Sequence, residues 1–360
     1  MLRILLLLSF FLAEAVRADV DLADISLPAG FSIEIYADVP NARSLALGKN
    51  GVVYVSNRRA DSIFAITPGP GGRNRVIELA DDLNTPNGIA YYQGDLYVAE
   101  ISRVLVYRDI DNKLANVPEP EVLNIDLPSE KHHGWRYIGF GPDDKLYISI
   151  GTPCNICDRP GFGRIDRMNP DGSVREVWAE GIRNSVGLTW HPDTGDLWFT
   201  DNGRDMLGDD LPPDELNHAP TQGLHFGYPY CHGGEILDGK FGVDKSCDDY
   251  VAPAKKLDAH VASLGVKFYT GSMFPEEYDG QILIAEHGSW NRSKKAGYRI
   301  SIVRLEDGQA ASYEVFAEGW LQGQSAKGRP VDLLVIDDGS LLVSDDASDV
   351  VYRISYEEPQ

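Results

Sequence analysis

The residues best suited to chemistry sit in short polar blocks at the ends of apolar runs. His132 and His133 form an adjacent pair at the entrance of KHHGWRYIGFGPDDKLYISIG, residues 131–151. An imidazole titrates near neutral pH, so it can take up or release a proton during a reaction. Arg43, Arg183 and Arg329 each stand just ahead of an apolar run. Their planar forks suit carboxylate-bearing ligands. Asp201, Glu286 and the Asp345-Asp346 pair close other runs. A denser acidic stretch, DMLGDDLPPDE from Asp205, could offer oxygen ligands to a hard cation. Its spacing is not that of an EF-hand, and a solvated loop is the plainer reading.

These blocks recur because the segments that carry them recur. Six copies share one plan: an apolar strand, a Gly/Asp turn, and a second strand rich in Leu, Tyr, Val and Ile. They begin at Ser44, Gly88, Tyr137, Gly187, Gly265 and Val331. Starts lie about 45 to 50 residues apart in the first half and about 65 to 80 apart later. A third strand often follows, as in DSIFAI, SRVLVY, GRIDRM, YRISIVRL and DVVYRI. Three or four antiparallel strands at this period predict an all-β, six-bladed β-propeller of four-stranded antiparallel blades. FSIEIY, residues 31–36, precedes the first copy and should complete the last blade beside residues 350–354. The insertions at 205–259 and 310–328 are expected to be loops on the ring.

In a propeller the first strand of each blade runs along the channel and the second runs back. Residues before the first strands therefore share a face with residues after the second strands. That face collects Arg43, Asn87, His133, Arg183, Asn184, Ser263 and Arg329. It also collects Asn57, Glu100, Thr152, Asp201, Asn202, Gly203, Glu286, His287, Asp345 and Asp346. The opposite mouth has mostly turn residues, so the polar mouth is the expected site.

The chain has 360 residues and a formal charge of −22, which disfavours nucleic acid as a partner. Arg3, the apolar run at 4–12 and small-residue cleavage sites before residue 19 predict a secretory signal peptide over 1–18. Residues 19–360 would form a single propeller domain, periplasmic or secreted, without membrane insertion after cleavage. Four cysteines in an exported chain suggest two disulfides, with Cys154–Cys157 and Cys231–Cys247 favoured among three pairings. A zinc site and a redox-active CxxC are weaker alternatives. There is no GxGxxG opening a helix, no Walker loop and no haem CxxCH.

The blocks HHGWRYIGFGPDDKLYISIG, EGIRNSVGLTW, DNGRDMLGDDLPPDELNH, HFGYPYC, AEHGSWNR and GRPVDLLV, in this order, resemble the soluble quinoprotein sugar dehydrogenases. The sorbosone/aldose dehydrogenase branch, which uses pyrroloquinoline quinone (PQQ) and calcium, is the most similar. The likeness covers about residues 27–354. It implies oxidation of an aldose or aldehyde sugar to a lactone or acid. Electrons would leave to a separate acceptor such as a cytochrome or quinone.

By the same resemblance His133 is the base and His132 its neighbour at the cofactor, although the pair could exchange roles. Arg183 stands beside the reactive carbonyl, and Asn184, Asn291, Arg292 and Arg329 are cofactor contacts. The carbonyls of Gly203 and Arg204 would bind the cofactor calcium, and Asp214 and Glu215 lie in a second calcium region. The pattern departs at Val331, where a second late arginine is expected, and a lysine of the fifth blade is missing in register. A calcium-dependent lactonase on the same architecture is the alternative. It would place one metal among Asn87, Asn184, Asp201 and Glu286.

Overall fold

The six repeats form six antiparallel sheets closed into a ring. The structure, a computed structural model, describes residues 20–359. The predicted signal segment, residues 1–18, lies outside the described residues. The first blade comprises Ala42–Leu47, Val53–Asn57, Ile63–Thr67 and Arg75–Ala80. The second comprises Gly88–Tyr92, Asp95–Ala99, Val104–Tyr107 and Glu121–Val122. The third holds Ile138–Phe140, Leu146–Ile150, Arg164–Met168 and Glu176–Glu180, with Leu224–His225 added in parallel at its edge. Leu188–Trp190, Leu197–Asp201, Pro213–Ala219 and Lys255–Ala259 make the fourth. Ser263–Phe268, Ile282–Glu286, Arg299–Glu306 and Gln309–Glu318 make the fifth. The sixth is built from Pro330–Val335, Leu341–Asp345 and Val350–Tyr356, and Phe31–Asp38 pairs antiparallel with the last of these. That closure by the first long strand is the one expected from FSIEIY.

Innermost strands touch their neighbours all the way round, so the ring is closed. Second strands such as Leu146–Ile150 and Ile282–Glu286 are buried at every residue, because each is sandwiched between two blades. This is why they read as unbroken apolar runs rather than as alternating ones. Apolar layers fill the gaps between blades. Ala46, Tyr54 and Ile63 of the first blade meet Ile89, Leu96 and Val98 of the second, and an equivalent layer lies in each of the other five gaps. At some positions of the innermost strands there is no room for a side chain. A Cβ on Gly187 would lie 2.0 Å from the carbonyl oxygen of Leu264 on the next blade.

The expectation of loops at 205–259 and 310–328 is corrected. Pro213–Ala219, Lys255–Ala259 and Gln309–Glu318 are blade strands. Pro213–Ala219 hides polar residues, with Asp214, Glu215 and Asn217 all buried, so it carries no apolar signature. Gln309–Glu318 is an outer strand with mostly half-exposed or exposed residues. The remaining insertion, 220–254, carries the disulfide Cys231–Cys247, and the other bond is Cys154–Cys157, so the favoured pairing is the one observed.

Candidate active site

On four of the six blades the second strand ends in a buried polar residue: Asn57, Asp201, Glu286 and Asp345. On the first, fifth and sixth blades the innermost strand has a register shift at the same end. Such bulges turn side chains out of the ladder. Arg43 lies inside the first of them, and Arg329 immediately precedes the strand that carries the third. The result is a cavity of about 340 Å³ at the polar mouth, bordered by His132, His133, Arg183, Asn184, Arg329, Gly203 and Asp214.

His133 is buried and its backbone is left-handed, with φ 49°. That conformation is uncommon outside glycine and is held in place by surrounding structure. Gly151 leaves room for it: a Cβ there would meet the His133 Cβ at 2.8 Å. The Arg136 guanidinium, wholly buried, reaches the carbonyls of Ile101 at 2.9 Å, Pro128 at 2.7 Å and His133 at 3.4 Å. His133 Nδ1 lies 2.8 Å from the Thr152 carbonyl oxygen. A carbonyl only accepts, so Nδ1 carries the proton and Nε2 keeps its lone pair. Burial, with Arg183 and His132 nearby, pushes the His133 pKa down to about 2. The ring is therefore neutral, with the Nε2 lone pair unprotonated. The His132 ring lies 4.0 Å away between centroids, tilted by 45°, and its pKa is lowered by burial and then by Arg183.

Arg183 is fixed on several sides. Its Nε donates to the Asn155 carbonyl at 3.0 Å and its Nη1 to the Asn202 carbonyl at 3.2 Å. Nη2 donates to Asn155 Oδ1 at 3.0 Å and to Asp205 at 2.8 Å. One N–H of Nη1 is left for a ligand. The backbone N–H groups of Arg183 and Asn184 both donate to Asp201, at 2.8 and 2.6 Å.

The same cavity is lined by a second group of cations, Arg43, Arg58 and Arg329. Arg43 donates to Asn87 at 2.9 Å and to Asp346 at 3.0 Å. Arg329 donates to the carbonyls of His287 and Gly288, at 2.9 and 2.7 Å. Arg58 lies over the Trp135 ring at 4.9 Å. Its pKa is pushed down to about 10 by burial and by Arg43. Burial also lowers Arg43. Asp346 is the carboxylate nearest this group, and it is shared with His287 Nε2 at 2.7 Å. Three guanidiniums lining one cavity, of which only Arg43 is bonded to Asp346, fit a ligand that carries several carboxylates.

The carbonyl oxygens of Gly203 and Arg204 accept no hydrogen bond from a described residue. They fit a hard cation that binds through oxygen. Asp214 lies next to them and accepts from Gly203 N at 2.9 Å and from Ser263 N at 3.1 Å. Burial raises its pKa to about 6. Glu215 is turned away, accepting from Gly233 N at 2.8 Å and from Asn217. The Arg204 side chain is spent on the buried Asp238. Among the described residues no three His, Cys, Asp or Glu side chains come together as a metal cluster.

Some expected contacts are not brought to the cavity. Arg292 donates to the carbonyl of Asp209 at 2.8 Å and to the side chain of Asp210 at 2.8 Å, so it clamps the loop at 209–210. Asn291 is not among the cavity walls. The four residues of the lactonase alternative do not converge either. Asn87 serves Arg43, Asp201 serves two backbone N–H groups, and Glu286 is bound to Arg299 and Tyr313. Sequence reasoning missed Arg58 and Trp135, which line the cavity. Arg58 follows Asn57, the last residue of a second strand, and that position was its available signal. The mouth also carries Trp290, 70% exposed, which was not expected from a charged rim.

The profile described as Glucose / Sorbosone dehydrogenase matches residues 99–350. The chain belongs to that family. As a glucose/sorbosone dehydrogenase family member it is an oxidoreductase. An uncharacterized protein of Borreliella burgdorferi is 31% identical over 360 residues, covering 93% of this chain and 91% of that one. Quinoprotein glucose dehydrogenase B of Acinetobacter calcoaceticus is 23% identical over 288 residues, covering 66% and 59%. Among solved structures, the holo form of the pyranose dehydrogenase PQQ domain from Coprinopsis cinerea superposes with a TM-score of 0.80 at 18% identity. That superposition covers 92% of this chain and 97% of the other. At that identity the likeness speaks to the fold.

Proposed function

We propose that this family member is a PQQ- and calcium-dependent dehydrogenase that oxidises an aldose or aldehyde sugar, sorbosone-like, to its lactone or acid. The observation that carries the reading is the pairing of a neutral histidine, its Nδ1 proton held by the Thr152 carbonyl, with a cavity lined by Arg43, Arg58, Arg183 and Arg329. When bound, PQQ would supply the two-electron acceptor for the hydride leaving the sugar carbon. Arg43, Arg58 and Arg329 would hold its carboxylates, in the cavity that Arg183 and Asn184 also line. The free N–H of Arg183 would offset developing negative charge. His133 Nε2 takes the proton of the sugar hydroxyl. An anionic ligand in the cavity would raise the pKa of His133 and so strengthen it as a base. The carbonyls of Gly203 and Arg204 would hold the calcium.

Electrons would pass to a separate acceptor. Two disulfides support an exported protein, and among the described residues no helix is long and apolar enough to cross a membrane.

The test is reconstitution. The apoprotein is titrated with PQQ and calcium by quinone absorbance, then given aldoses and an artificial acceptor. Stoichiometric binding and sugar-dependent reduction are expected. Absence of binding at any calcium concentration would sink the reading.

A further inference from the structure

The segment 152–157 joins the two sides of the reaction centre. At its start the Thr152 carbonyl accepts the proton-bearing Nδ1 of His133, and the Thr152 N–H donates to the Arg183 carbonyl at 2.9 Å. Three residues on, Asn155 is bound to Arg183 through both its carbonyl and its side-chain oxygen. The same side-chain oxygen accepts from Asp205 N at 2.8 Å, while Asn155 Nδ2 donates to the Asp205 carbonyl at 3.1 Å. Asp205 is in turn the ion-pair partner of Arg183. Asn155 thus holds the guanidinium and the carboxylate opposite it in one bidentate arrangement.

A short loop with no regular structure would not keep an amide in place against solvent competition. Here Cys154 and Cys157 bracket Asn155 and are joined by a disulfide. Tyr228 closes the loop from below. Its hydroxyl accepts from Cys157 N at 3.0 Å and donates to the Asn155 carbonyl at 3.3 Å, while the Thr152 hydroxyl donates to the Cys154 carbonyl at 3.2 Å.

We infer that the disulfide-closed loop 154–157 is a positioning element of the site, setting the Arg183 guanidinium through Asn155 and supporting the Thr152 carbonyl that fixes the tautomer of His133. Asn155 touches neither of the reacting groups' free atoms; it acts through Arg183. The catalytic consequence rests on the dehydrogenase reading, but the positioning itself does not, so the experiment has two readouts. The first is the hydrogen-exchange rate of the Arg183 Nε–H in the apoprotein, followed by nitrogen-15 NMR. The second is the kinetics of the reconstituted enzyme.

Asn155→Ala and the double variant Cys154→Ser/Cys157→Ser should each speed Arg183 Nε–H exchange by about tenfold or more, by opening a local rather than a global unit. In the reconstituted enzyme kcat should fall by about 10- to 100-fold while the sugar KM moves much less, as misplacement of a catalytic group predicts. Asn155→Ala keeps both cysteines, so it carries the test if the double variant does not fold. Unchanged exchange in folded Asn155→Ala would overturn the inference. So would a double variant that loses melting temperature yet keeps its Arg183 exchange and kcat. Faster exchange in the variants, with no sugar oxidation even by the wild type, would uphold the positioning and defeat the functional reading instead.

Discussion

Replacing Asp346 by asparagine removes the carboxylate that Arg43 and His287 share and changes almost nothing in shape. Its side chain is 6% exposed and that of Arg43 is 1% exposed, with Asp346 Oδ2 3.0 Å from Nη1. The Asp346 pKa lies well below the usual carboxylate range despite its burial, because His287, Arg43 and Arg58 all favour the ionised form. Two unit charges at roughly 4 Å with an effective dielectric near 20 interact by about 4 kcal/mol. Stranding a buried partner costs about 3–5 kcal/mol. At roughly 2 cal/mol/K of unfolding entropy per residue, a chain of this length gains about 0.7 kcal/mol/K on unfolding. A loss near 4 kcal/mol therefore lowers the melting temperature by about 6 °C. The asparagine can still accept from Arg43 through its oxygen while its amide faces a His287 of the other tautomer, so lost charge rather than lost packing dominates.

Differential scanning calorimetry of the apoprotein measures the drop. The same scans with saturating PQQ carry the second half of the prediction. Bound carboxylates neutralise Arg43, Arg58 and Arg329, so the ligand should raise the melting temperature of the variant more than that of the wild type. A variant that melts within about 1 °C of wild type, a change under 1 kcal/mol, would show that the pair is not an unscreened buried interaction. Equal stabilisation of both proteins by PQQ would show that its carboxylates bind elsewhere.

Replacing His133 with glutamine, which can still donate to the Thr152 carbonyl, should cut kcat by about 10²- to 10⁴-fold. Quinone absorbance titrations should show PQQ binding retained. Burial, followed by Arg329 and Arg43, pushes the His287 pKa from 6.5 down to about 4, so the unfolded chain takes up a proton there before the native state does. This contribution is complete above pH 6.5 and is lost as pH falls towards 4, by about 3 kcal/mol. Stability measured by urea titration against pH should therefore fall less steeply on the acid side in His287→Gln. Dialysis against a calcium chelator should abolish turnover in the reconstituted enzyme, and added calcium should restore it; turnover insensitive to chelation would remove calcium from the proposal.

The ring was legible because propeller strands advertise themselves. A strand buried on both faces must be apolar throughout, and a polar residue at its end must face the channel mouth. Those two rules suffice to put Arg43, His133, Arg183, Arg329 and Asp346 at one mouth of the channel. They failed where burial is polar, as in Pro213–Ala219, whose carboxylates mimic a solvated loop. Similarity of blocks placed Arg292 at the cofactor, but order along the chain does not reveal which way a side chain turns, and this one turns to Asp209 and Asp210. Arg58 was passed over for the reverse reason. It stands beside Arg59 in SNRR, and its position after Asn57 alone does not tell which of the two arginines turns to Trp135.

The pairing of Phe31–Asp38 with Val350–Tyr356 bears on synthesis. Arg353 reaches Glu34 across a separation of 319 residues, so the ring cannot close until nearly the whole chain has left the ribosome. A nascent chain with five blades made still has an open gap and two unpartnered apolar faces, and contacts this distant in sequence form slowly. Truncating either end should therefore open the entire ring rather than fray one blade.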